Sequence, residues 1–228
     1  RSLSTHCHHE HTPDLKPGQA IYGSHMVSAS TDGWTIDEPG FYNIQAVIDV
    51  NDEIISSNVL RVYVNPPSSI EESKLAPDYF TEDVARTVSF AGAPSLDSAN
   101  DVLREVAARC ANNQAARHAN LALSGPMLRN FKVLNGATDK AELEIKTINA
   151  KIDQGAKAQT AALMDDPDSA ADTLGHIRYF GMLNQLATAL EDKGDDKGAI
   201  KVLKSAVSTM KKRQVLDSVI KETEKKLK

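Results

Sequence analysis

Glu38-Pro39-Gly40-Phe41-Tyr42-Asn43-Ile44-Gln45-Ala46-Val47-Ile48-Asp49-Val50 is the stretch on which the fold turns. Pro39-Gly40 is turn chemistry, and the residues alternate from Phe41 onward. Tyr42, Ile44, Ala46, Ile48 and Val50 share one parity, and Asn43, Gln45 and Asp49 the other. That is the period of a half-buried strand. After a turn signal at Asn51-Asp52, residues 54–64 predict a second strand, with Leu60, Val62 and Val64 on one parity and Arg61 on the other. Asn65-Pro66-Pro67-Ser68-Ser69 then ends strand character, because proline has no N–H to give to a ladder. Sheet is expected before this point and helix after it.

Working outward toward the N-terminus, residues 21–30 read as a further strand, and Trp34 and Ile36 lead into the Pro39-Gly40 turn. Trp34 is the single tryptophan. It is expected to plug the space between sheets, since one aromatic without neighbours makes a poor surface for a sugar ring. Ahead of these lies Thr5-His6-Cys7-His8-His9-Glu10-His11. On a strand Cys7, His9 and His11 point one way, and imidazoles two residues apart can share a zinc or nickel ion. His25 is the nearest distant ligand that would complete such a site. The competing reading is a solvated, histidine-rich strand with Cys7 packed inward.

Toward the C-terminus the period changes to that of helices. Residues 78–85 suggest a short helix, broken by Ala91-Gly92-Ala93-Pro94. A longer one, capped by Ser95 or Asp97, runs to about Ala111, with Val102, Leu103, Val106, Ala107 and Cys110 on one stripe. Asn112-Asn113 turns the chain into a helix over residues 114–123. Residues 141–152 also read as a helix, carrying Leu143, Ile145 and Ile148. Asp165-Asp166-Pro167-Asp168 has the composition of a helix start rather than a calcium loop. Residues 180–213 predict two helices meeting at Gly194, and residues 214–228 a last amphipathic helix with a lysine-rich end.

Two family resemblances rest on these segments. Leu15-Lys16-Pro17-Gly18, Gly33-Trp34-Thr35-Ile36, Glu38-Pro39-Gly40-Phe41-Tyr42 and Ser57-Asn58-Val59-Leu60-Arg61-Val62 resemble the last strands of bacterial immunoglobulin-like sandwich domains, over residues 12–66. That resemblance implies a partial β-sandwich whose remaining strands are supplied from elsewhere, and an extracytoplasmic setting, secreted or in the cell envelope. Leu183, Leu186, Ala187, Leu190, Gly194, Ala199, Leu203 and Ala206 resemble one tetratricopeptide repeat. Leu103, Val106, Ala107, Cys110, Ala119 and Leu123 echo its offsets. The expected class is multidomain, β then α: a partial immunoglobulin-like β-sandwich over 1–66, a linker over 67–74, and an all-α helical-hairpin domain, tetratricopeptide-like, over 75–228.

Bulk properties narrow the function. The 228 residues carry a formal net charge of −5, which argues against a nucleic-acid surface. No apolar run approaches the ~18 residues of a membrane span. The chain opens at Arg1 without a signal-peptide pattern, so a processed or excised piece of a larger protein is expected. Its two cysteines, Cys7 and Cys110, fall in different expected domains and do not make a disulfide framework. No nucleophile elbow, phosphate loop, HExxH or paired-cysteine motif appears. His118 and His176 sit alone on expected helices, without partners for acid–base work. No catalytic residue and no cofactor is therefore assigned. The expected function is non-catalytic: a protein-interaction or scaffolding module that binds a protein or peptide, or neighbouring domains of its own parent chain. The alternative is an accessory domain of an enzyme, with metal at Cys7, His9, His11 and His25, or with sugar bound through Trp34 and Tyr22.

Overall fold

The computed structural model describes residues 26–50, 53–135 and 144–227, together with Pro17. The histidine-rich segment with Cys7, His9, His11 and His25, and Tyr22 with it, lies outside the described residues. From residue 26 the chain begins with a small hairpin, β1 (Ala29–Ser30) and β2 (Gly33–Trp34), turned at Thr31-Asp32. Gly33 sits at φ +110°, a conformation that favours glycine.

A long two-stranded ribbon follows. Its base pairs β3 (Gly40–Ile44) with a returning strand, and its outer part pairs β4 (Val47–Val50) with β5 (Glu53–Ser56). The returning strand of the base is β6 (Leu60–Val64). The two continuous strands read from the sequence are each interrupted here. Ile44 faces Leu60 and Val47 faces Ser56, so Gln45-Ala46 oppose Ser57-Asn58-Val59, a bulge of one residue. The Ser57 hydroxyl fills the broken ladder by accepting from the Ala46 N–H at 3.0 Å and donating to the Asn58 carbonyl at 2.8 Å. Gln45 Nε2 adds a bond to the Ser57 carbonyl at 2.8 Å.

Helices then take over. Ser69 caps α1 (Ile70–Tyr79), so residues 70–74 of the expected linker are helical and the connection is confined to 65–69. There follow α2 (Glu82–Ser89), α3 (Asp97–Arg109) and α4 (Gln114–Ser124), the last capped by the Asn113 side chain. Residues 78–85 thus straddle two helices, and α3 starts after Leu96 without a side-chain cap from Ser95 or Asp97. A 3₁₀ turn (Gly125–Leu128) leads into β7 (Phe131–Asn135), which pairs with β8 (Glu144–Ile148).

That hairpin overturns the helix expected over 141–152. Ile145 and Ile148 fit a helical stripe, but Ile145, Thr147 and Ile148 are β-branched and the apolar run is too short to fix a period. Cross-strand pairing with residues 131–135 settled the choice. Helical structure resumes with α5 (Ile152–Met164), α6 (Pro167–Leu174), α7 (His176–Lys193), α8 (Asp196–Lys212) and α9 (Asp217–Lys225). As expected from composition, Asp166 caps α6, accepting from the Ser169 N–H, with Pro167 in the first turn.

Among the described residues, then, small antiparallel sheets occupy the N-terminal part and nine helices follow, with the β7–β8 hairpin set between α4 and α5. Two cores lie within the helical part. One joins Val84, Val88, Leu103, Val106 and Ala119 of α2, α3 and α4, with Met26 and Trp34 against it. The other joins α5 to α9 around Leu163, Tyr179, Leu183, Leu186, Leu203 and Met210. Helix α4 is the wall between them, giving Ala119 and Ala122 to the first and Leu121 to the second. Leu183, Leu186, Ala187, Leu190, Ala199, Leu203 and Ala206 are all buried, and Gly194 ends α7 in the left-handed conformation at φ +88°. The sequence stripe therefore marks a helical hairpin, α7–α8.

Candidate interaction site

The helical part buries or half-buries most of its large apolar side chains, leaving Ile70, Phe80, Phe90, Ile177, Ile200, Leu216 and Val219 exposed, whereas the much smaller ribbon leaves most of its own in water. Phe41 is 66% exposed, Ile48 59% and Ile54 74%, and Val47, Ile55, Val59, Leu60 and Tyr63 are exposed as well. On one face of the base Phe41 stacks on Tyr63 with ring centroids 4.7 Å apart, and the Arg61 guanidinium lies 4.2 Å over the Phe41 ring. On the other face Tyr42, Ile44, Val62 and Val64 are half-buried, so the alternation read from the sequence holds at the base. Beyond the bulge neither face is covered: Ile48 pairs with Ile55 and Asp49 with Ile54, all exposed. A two-stranded ribbon is marginal alone in water, and large apolar patches on a surface mark interaction sites.

The ribbon base runs into a cleft of about 470 Å³ where the sheet portion meets α1, α3 and the start of α4. Pro39, Pro66, Leu75, Tyr79, Val106 and Cys110 give it an apolar lining. Its position is fixed by two anchors. Glu72 accepts from the Ser68 N–H and from Asn113 Nδ2 at 2.8 Å, tying the proline-rich connection to the α3–α4 turn. Those hydrogen bonds hold the Glu72 carboxyl below the usual carboxylate range. On the far side Trp34 Nε1–H donates to the carbonyls of Tyr79 at 3.1 Å and Thr81 at 3.0 Å, and its ring packs on Tyr79 and Phe80. Trp34 is therefore a plug, but between the first hairpin and the helices rather than between sheets. The reason is its indole N–H, which finds carbonyls at the end of α1.

Electrostatically the cleft is one-signed. Among the described residues Asp37, Glu38 and Glu72 line it and no lysine or arginine does. Burial pushes the Tyr79 phenol up to about 12, so that group stays neutral. Cys110 is a half-buried free thiol, also pushed up, by burial first and then by Glu72. Its raised pKa leaves it mainly as the thiol at neutral pH, partly accessible but not activated as a catalytic nucleophile.

The remaining sequence candidates stand apart from this site. His118 on α4 is half-buried, with its Nδ1 enclosed, beside Arg178 and Arg117. Desolvation, then those two charges, lowers its pKa to about 4. Its Nδ1 has no hydrogen-bond partner, so no carboxylate orients the ring. Arg117 instead donates Nη1 to Ser169 Oγ at 3.0 Å and Thr173 Oγ1 at 3.1 Å, tying α4 to α6. His176, exposed at the start of α7, accepts from Arg213 Nε at 3.2 Å. Among the described residues no three His, Cys, Asp or Glu side chains gather as a ligand set, and no helix is long and apolar enough to cross a membrane. The junction cleft itself was missed by sequence reasoning. Its residues come from five separated segments, and the one local signal was the doubled proline Pro66-Pro67. The chain matches no protein-family model, no curated protein and no solved structure.

Proposed function

We propose that this protein is a non-catalytic interaction module whose binding element is the ribbon over residues 40–64. The single observation supporting this is that eight large apolar side chains of the ribbon stay exposed while the helical cores are filled. On this reading α1 to α9 are the rigid base, and α7–α8 a hairpin of tetratricopeptide-like character. The ribbon is the closing pair of an immunoglobulin-like sandwich, and an extended partner segment completes its sheet by adding main-chain hydrogen bonds along an edge. Such a segment comes from a protein partner or from further domains of the same parent chain, in an extracytoplasmic setting.

The test is selection of extended peptides from a random display library, followed by amide hydrogen-exchange mapping. Selected sequences should alternate apolar and polar residues and should protect amides within residues 40–64. A variant with Val47, Ile48, Ile54 and Ile55 all replaced by threonine should lose that protection while its helices exchange as before. Peptides that protect helical segments alone would reject the proposal.

A further inference from the structure

We infer that the junction cleft is a second recognition site, for a peptide carrying one large apolar anchor flanked by lysine or arginine. This rests on the interaction reading for the existence of a partner, but it names a different surface and its chemistry. The cleft, at about 470 Å³, has room for one aliphatic or aromatic side chain, and its walls are apolar. The charge at its mouth selects what flanks that anchor. Asp37 and Glu38 are exposed and belong to no ion pair among the described residues. Glu72 carries the third negative charge and is already held by Ser68 and Asn113.

Cations do lie nearby, but they are spent. Arg109, next to Cys110 in the chain, pairs with Glu71 and Glu105. An uncompensated carboxylate pair beside an apolar hollow repels an acidic partner and draws a basic one. Glu72 matters in another way: its lowered pKa keeps the mouth negative well into the acid range. The protein as a whole carries a formal net charge of −5, which adds to the attraction.

Cys110 supplies a reporter inside the site. Fluorescent synthetic peptides with a central Leu, Phe or Trp and Lys/Arg flanks are titrated into the full chain. Binding is followed by anisotropy, and iodoacetamide alkylation of Cys110 by mass spectrometry, which reads Cys7 separately. Basic-flanked anchors should bind and slow Cys110 alkylation. Replacing the anchor by serine should abolish both effects. The double variant Asp37→Asn, Glu38→Gln removes charges that make no side-chain hydrogen bonds among the described residues, so it should fold normally and bind on the order of tenfold more weakly. Ala76→Trp, filling the cleft, should block binding.

Equal binding of Asp/Glu-flanked peptides, an unchanged affinity in the double variant, or binding without protection of Cys110 would each overturn the inference. So would concentration-dependent self-association that buries Cys110, since the occupant would then be a second copy. Loss of cleft binding while selected peptides still protect residues 40–64 removes this inference and leaves the ribbon proposal intact. Loss of both removes the interaction reading itself.

Discussion

Replacing His118 by leucine should flatten the acid side of this protein's stability curve. His118 is half-buried beside Arg178 and Arg117, and desolvation and those charges lower its pKa from 6.5 to about 4 in the folded state. The unfolded chain therefore binds a proton that the folded chain refuses, throughout the window between those values. The associated stability is fully present above pH 6.5 and is lost as pH falls through about 4. Integrated across the window, the wild type should lose about 1.4 kcal/mol by pH 5.5 and about 2.5 kcal/mol by pH 4.5 from this group. The half-buried carboxyls Glu71, Glu72 and Asp168 also have lowered pKa values, and they titrate alike in both proteins. The difference between wild type and variant cancels them. Leucine is close to imidazole in size and removes an Nδ1 that has no partner, so the variant should not be less stable at pH 7.5. Urea unfolding at pH 7.5, 6.5, 5.5 and 4.5 gives the two curves, with His118→Gln as a polar control that cannot titrate. Parallel curves for wild type and both variants would show that the imidazole is protonated in the folded state, and the burial argument would be wrong.

Three further outcomes follow from packing. Ala199→Leu should overpack the α7–α8 crossing, where Ala199 is 1% exposed, and cost about 1–3 kcal/mol by chemical denaturation; a neutral effect would mean that the crossing is open. Gly92→Ala should be as costly, about 1–3 kcal/mol, since φ is +127° and an added Cβ would lie 2.3 Å from Pro126 Cγ and 2.5 Å from the Ala122 carbonyl oxygen. An unchanged melting temperature in that variant would contradict the close approach of the α2–α3 loop to the end of α4. Limited proteolysis should cut within residues 65–69, before α1 and beyond the last ladder bond of the ribbon, and cleavage confined to other regions would argue for one fused core.

The sequence by itself determined the local periods and their punctuation. Gly194 ended α7 and Asp166 capped α6, because a left-handed C-terminal position and a side-chain acceptor are satisfied by neighbours within a few residues. The stripe from Leu183 to Ala206 likewise went to a core, since a helix buries one face whatever its partner. The alternation of residues 40–44 held for the same local reason. What only the tertiary structure decided depends on residues far apart in sequence. Residues 144–148 became a strand because residues 131–135 offered a ladder to a run whose period was ambiguous. Trp34 docked on helices because carbonyls of Tyr79 and Thr81 reach its indole N–H across more than forty residues of chain. The bulge at Ser57 depended on register with Gln45 and Ala46, which no single strand encodes. The acidic cleft arose in the same way. Asp37, Glu72 and Cys110 share no local signal, and they meet because Glu72 clamps the proline connection to the α3–α4 turn, a contact that exists only once those helices have packed.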